Sequence, residues 1–132
     1  MIKKVLVVMI FCLIAKSSLA ECWVAHNIKG KTATSFNNFN ITDDSFQDGL
    51  LICLTEEGGY VAGNDLKLVR FGRYTLVGVS TTNEGLETIN TFQIDTVNMK
   101  VYVTTSRIGT STITNLLPDN VGMFVGDIVK EQ

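Results

Sequence analysis

The residues best equipped for chemistry lie in the stretch LVRFGRYTLVG. Arg70 and Arg73 bracket a turn there, with Phe71 and Tyr74 beside them. Two guanidiniums and two rings can clamp a carboxylate or phosphate, or stack on a flat group. Arg107 joins them if its strand lies alongside. The plainer reading is a surface turn whose arginines pair with nearby carboxylates, an interaction worth little when exposed. The stretch TSFNNFNIT carries Phe36 and Phe39 among Asn, Ser and Thr, with Phe46 shortly after. Aromatic residues in a polar loop make a recognition surface when exposed and core anchors when buried. Phe39 joins the arginine cluster as a candidate contact residue.

Acid–base and metal chemistry have few carriers. His26 is the only histidine in the chain, which excludes a multi-histidine zinc site. Glu56 and Glu57 are adjacent, and neighbours on a strand point to opposite faces. The chain has no G-x-S-x-G, H-E-x-x-H, P-loop or G-x-G-x-x-G motif. A glycosidase-type carboxylate pair leaves no spacing signature to find. No catalytic residue, cofactor or metal ligand is assigned, and the expectation is a protein that is not an enzyme. Asp43, Asp44 and Asp48 cluster, but neither Gly nor Glu falls where an EF-hand loop requires it. The segment GGYVAGNDLKL resembles one nonapeptide unit of the secreted calcium-binding β-rolls. It departs from them at Tyr60 and Val61, and those rolls need stacked copies that are absent here. Two turns around a short strand are the expectation for residues 58–65. Asn40-Ile41-Thr42 fits an N-glycosylation sequon, relevant only in a eukaryotic secretory pathway.

The N-terminus sets the compartment. Lys3 and Lys4 precede the apolar run VLVVMIFCLIA, and Ser18 and Ala20 supply small residues before a cleavage point. This is the pattern of a secretory signal peptide over residues 1–20. The run spans only residues 5 to 15, against about 20 apolar residues for a membrane span. The mature chain, 21–132, is then expected to be one domain. Its localisation is expected to be periplasmic or secreted, with no membrane span. Loss of Lys3, Lys4 and Lys16 leaves eight basic against thirteen acidic residues, a net charge near −5. That balance argues against nucleic acid and anionic membrane surfaces as partners.

Cys12 leaves with the signal, so Cys22 and Cys53 remain. A lipid anchor would need Cys22 as the first mature residue, and Glu21 precedes it. A reactive thiol would want a close histidine or a C-x-x-C spacing; no C-x-x-C is present. In an oxidising compartment the two are expected to pair, stapling the N-terminal strand to the strand that carries Cys53.

The elements that must position these groups read as strands. Gly, Asn and Asp punctuate the chain every eight to twelve residues, between short runs rich in Val, Ile, Leu, Thr, Tyr and Phe. Strands are expected near residues 22–27, 32–36, 50–55, 60–62, 65–71, 75–80, 87–95, 100–106 and 126–130. Ile28-Lys29-Gly30 reads as a turn. The clearest hairpin joins the Phe92/Ile94 alternation to that of Met99, Val101 and Val103. Leu50 to Leu54 does not alternate and reads as a central strand covered on both faces. Near the C-terminus, Pro118 and the spacing of Val121, Phe124 and Val125 predict a short helical turn. The fold class is therefore all-β: a small antiparallel meander closing into a β-barrel or a two-sheet sandwich.

The functional expectation is an exported, disulfide-stapled binding module whose partner is an extracytoplasmic protein or a small molecule. One version blocks a secreted or cell-wall-active enzyme such as lysozyme. In size, export signal, β content and single disulfide it is similar in general style to periplasmic lysozyme inhibitors and immunity proteins, with none of their motifs. The other version carries a small ligand in the barrel mouth, lipocalin fashion.

Overall fold

The computed structural model describes residues 20–46, 48–109 and 117–132. The expected signal peptide falls on residues outside these, apart from Ala20. Among the described residues nine strands form one sheet: β1 (Glu21–Thr34), β2 (Thr42–Ser45), β3 (Leu50–Leu54), β4 (Gly58–Val61), β5 (Leu68–Phe71), β6 (Thr75–Thr81), β7 (Glu87–Asp95), β8 (Lys100–Ile108) and β9 (Asn120–Lys130). From β3 to β9 each strand pairs antiparallel with the next, and β9 pairs back onto β1. Eight strands thus close a barrel, and the choice between barrel and sandwich falls to the barrel. β2 lies outside the ring, on the same edge of β1 that β3 uses further along. No helix among the described residues is long and apolar enough to cross a membrane.

Two sequence expectations give way to this closure. The expected turn at Ile28-Lys29-Gly30 is instead the middle of β1. The extra residue is absorbed as a bulge: the pairing with β9 shifts between His26 and Lys29, and Asn27 takes a φ of 53°. The Asn27 amide donates to Asp48 Oδ1 at 2.8 Å, so the bulge keeps its hydrogen bond. Gly30 is needed for close approach, because a Cβ there would meet the Met123 carbonyl oxygen at 1.8 Å. The second correction concerns the C-terminus. The expected helical turn is replaced by strand β9, and the one helical element described is a 3₁₀ turn at Ser35–Asn37. Gly122, Phe124, Gly126 and Ile128 are buried while Val121, Met123, Val125 and Val129 are exposed, a strict two-residue period. Long free edges on β1 and β8 hold the segment extended, and tertiary pairing overrides a weak local helix pattern. Gly126 suits the inner face because a Cβ there would crowd Ile28 at 2.7 Å.

The inner faces of the strands build the core. Trp23, Ile52, Leu54, Leu76, Phe92, Ile94, Val101, Val103, Phe124 and Ile128 are all buried in one cluster. Each such side chain contributes about 1.5–3 kcal/mol by leaving water. Tyr74 packs edge-on to Trp23, ring centres 6.2 Å apart. The non-alternating run in β3 has a specific cause. Ile52 and Leu54 face inward, while Cys53 between them is buried by its disulfide partner.

Hairpin β7–β8 shows how polar groups set the turns. Asp95 Oδ1 accepts from the amides of Val97 and Asn98, both at 3.0 Å. Its Oδ2 accepts from the Tyr102 hydroxyl at 2.6 Å and the Asn98 side chain at 2.9 Å. The Tyr102 bond, then those from Asn98, hold the Asp95 carboxyl well below the usual carboxylate range. The same bond pushes the Tyr102 phenol up.

The disulfide joins directly opposed residues. Cys22 and Cys53 are register partners on β1 and β3, with Cα atoms 4.1 Å apart. The Cys22 carbonyl accepts from the Glu131 amide at 2.9 Å, so the N-terminal strand is tied on both edges. Cys22→Ser with Cys53→Ser is expected to lower unfolding free energy by about 3–4 kcal/mol, the loop-entropy contribution. Urea titration of the oxidised, reduced and double-variant proteins checks this; equal midpoints would show that the staple adds nothing.

Candidate functional site

The meander sends its connections alternately to the two ends of the barrel. One end carries the β3–β4, β5–β6 and β7–β8 turns. The other carries the β1–β2, β4–β5 and β6–β7 connections together with the close of β8 and the start of β9.

The first end holds Arg70, Phe71, Arg73 and Tyr74. Arg70 is spent on the backbone: it donates to the carbonyls of Thr55 at 2.7 Å, Arg73 at 2.7 Å and Gly72 at 3.2 Å. It stitches the β5–β6 turn to the strand end beyond β3. Arg73 lies 5.2 Å from the ring of its neighbour Tyr74, and Tyr74 leans on the core. Phe71 is exposed. Arg107 does not join them, because β6 and β7 separate β5 from β8 and Arg107 sits at the opposite end. The three-arginine clamp is therefore not assembled. Arg107 instead donates to the Pro118 carbonyl at 3.0 Å. It shares a shallow recess with Phe39, Asp119 and Asn120.

The acidic residues do not converge. Asp43 pairs with Lys31. Asp44 accepts from the Ser45 amide at 2.8 Å, and Asp48 holds the Asn27 bulge. In the segment similar to a calcium roll, Gly63 takes a φ of 80° and Asn64 Oδ1 accepts from Leu66 N at 2.9 Å, which is turn chemistry. Among the described residues no group of three or more His, Cys, Asp or Glu is placed to hold a metal ion.

The second end opens into a cup of about 430 Å³. Its walls are Phe46, Leu50, Val61, Ala62, Leu66, Phe92 and Val103, and its polar groups include Thr88, Asn90, Thr105 and, from the β4–β5 loop, Asn64 and Asp65. Phe46 reaches the mouth from the link between β2 and β3, its amide held by the Ile28 carbonyl at 3.0 Å. Its ring rests on that of Phe124, centres 4.5 Å apart. Asn90 on β7 stands directly opposite Thr105 on β8. Asn90 Oδ1 is buried and has no hydrogen-bond partner among the described residues. Such an acceptor costs about 1–3 kcal/mol until something donates to it.

The cup was missed in the sequence although one signal for it was there. Phe92 and Ile94 face inward, and the same parity continues through Asn90 and Thr88. Polar residues on an inward parity mark a place where the core stops. The loop aromatics are corrected as well. Phe36 and Phe39 are 62% and 56% exposed, so they are not core anchors, while Phe46 is partly so through Phe124.

Comparison with known families, with characterised proteins and with solved structures finds no match for this chain.

Arg70→Ala is expected to destabilise the barrel by about 1–3 kcal/mol, because three carbonyls lose a charged donor. Arg70→Lys is expected to rescue little of this, since an ammonium cannot reproduce the fork. Urea unfolding of both variants is the check; wild-type stability in Arg70→Ala would return the arginine to the list of ligand-contact residues.

Proposed function

We propose that this protein is an exported, non-catalytic binding protein that carries a small, mainly apolar molecule in the mouth of its barrel. The cup of about 430 Å³ carries this reading. Its volume falls within the range of about 300–1,000 Å³ common for small-ligand sites, and its lining has the mixture such sites use, apolar walls with a few placed polar groups. An eight-stranded ring has an interior that side chains just fill or that one small ligand occupies. Here the closed end is filled and the other end is not. The Cys22–Cys53 bridge supports an oxidising, extracytoplasmic setting. N-phenyl-1-naphthylamine, a neutral fluorescent probe, is expected to bind the oxidised protein saturably at one site. Thr88→Trp, which fills the mouth, is expected to weaken it at least tenfold without moving the urea midpoint. Absence of saturable binding would overturn the carrier reading.

A second reading rests on a different feature. Phe36, Phe39 and Ile41 are 62%, 56% and 76% exposed on the β1–β2 connection. Asn38 and Phe39 both hold a φ of 58°, a left-handed conformation that costs a bulky residue about 1–3 kcal/mol. Strain that presents an aromatic ring to solvent fits a loop that enters a partner protein's cleft, as in the enzyme-blocking version. Phe39→Gly separates display from stability. It is expected to stabilise the fold by about 0.5–1 kcal/mol and to weaken capture of an extracytoplasmic enzyme such as lysozyme. Calorimetric titration with lysozyme reads the second effect; no binding by wild type removes lysozyme as the partner.

A further inference from the structure

The inner wall of the cup narrows the class of ligand, given that the carrier reading holds. Asn90, Thr88 and Thr105 lie side by side on β7 and β8, with Asn90 directly across from Thr105. Below them the wall turns apolar at Phe92 and Val103, which are buried at 5% and 2% exposure. Asn90 Oδ1 is the buried acceptor in this wall that lacks a partner among the described residues. Its neighbours on β7 and β8 in this wall are the hydroxyls of Thr88 and Thr105 and the hydrocarbon of Phe92 and Val103. Among the described residues the cup has one ionisable side chain, Asp65, which is exposed on the β4–β5 loop, and no cationic residue lines it.

We infer that the cup selects a neutral molecule with a flat apolar body and one hydroxyl or N–H donor, the donor meeting Asn90 Oδ1 and the body lying between Phe46, Leu66 and Phe92. The donor follows from the orphaned acceptor, since a ligand that satisfies it removes an existing penalty, whereas a ligand without a donor seals it off from water. Neutrality follows from the walls. An anion would enter an apolar cup with no cation to meet it and a carboxylate at its rim. A buried ammonium would find an amide oxygen and hydroxyls but no counter-charge at depth. The flat body follows from the two rings, which are faces rather than points of contact.

The test uses N-phenyl-1-naphthylamine as the displaced reporter and three competitors of one skeleton: 1-naphthol, 1-methoxynaphthalene and 1-naphthoate, at pH 7. 1-Naphthol is expected to compete about tenfold better than 1-methoxynaphthalene, which differs by loss of the donor. 1-Naphthoate is expected to be the weakest. In Asn90→Leu, which keeps the side-chain shape, the advantage of 1-naphthol over its methyl ether is expected to vanish while the reporter still binds. The ranking on wild-type protein needs no variant, so a poorly folding Asn90→Leu leaves the inference open to refutation. Equal competition by naphthol and its ether, or preference for the naphthoate, would overturn the donor and neutrality inference and leave the carrier reading standing. A reporter that does not bind at all would overturn both.

Discussion

The pairing of β1 with β9 is the contact on which the rest of the structure depends. Without it the meander would be an open sheet with two bare edges and an exposed apolar face. With it, eight strands enclose an interior narrow enough for side chains from all of them to meet. The seam sets demands on the chain that no local rule predicts. β1 must run fourteen residues without turning, absorb one extra residue at Asn27, and leave room at Gly30 for the backbone of β9. The disulfide acts at the same strand, holding the end of β1 against β3 while β9 holds its other edge.

Closure also divides the interior. Large side chains converge at one end, where Trp23, Leu54, Leu76, Ile94, Val101 and Ile128 fill the cross-section. Towards the other end the inward positions become Thr88, Asn90 and Thr105, which are too small and too polar to complete a core. A cup results from a change in side-chain type along strands whose backbone continues unaltered. The proposed carrier function uses that change: the packed end supplies rigidity and the open end supplies apolar wall with a placed acceptor. The strained, exposed aromatic loop at Phe39 stands beside the same open end, near Arg107, so both candidate recognition features belong to one side of the molecule.

Much of the fold was legible because a strand writes its two faces into alternating residues. The β7–β8 hairpin could be read almost to its boundaries from Phe92, Ile94, Val101 and Val103. The Cys22–Cys53 pair followed from compartment and count. The candidate site was far less legible. Arg70 looked like a ligand clamp, yet its donors serve three carbonyls, one of them fifteen residues away in the chain. Arg107 and Phe39 were named for separate reasons, and the fold places them in one recess. Asn90 and Thr88 are not legible as site residues, because polar residues within a strand read by default as its solvent face.

By itself the sequence determined the all-β class, its make-up of short antiparallel strands and the disulfide, since these depend on local periodicity, turn residues and two cysteines. Only the tertiary structure decided the strand order and the closure into a barrel, that residues 120–125 extend the C-terminal strand, that β1 does not turn, and that one barrel end stays open. The physical reason is the same in each case. Strand pairing across distant segments supplies hydrogen bonds and burial that outweigh a weak local preference, and whether an inward face is filled depends on what seven other strands bring to the same level.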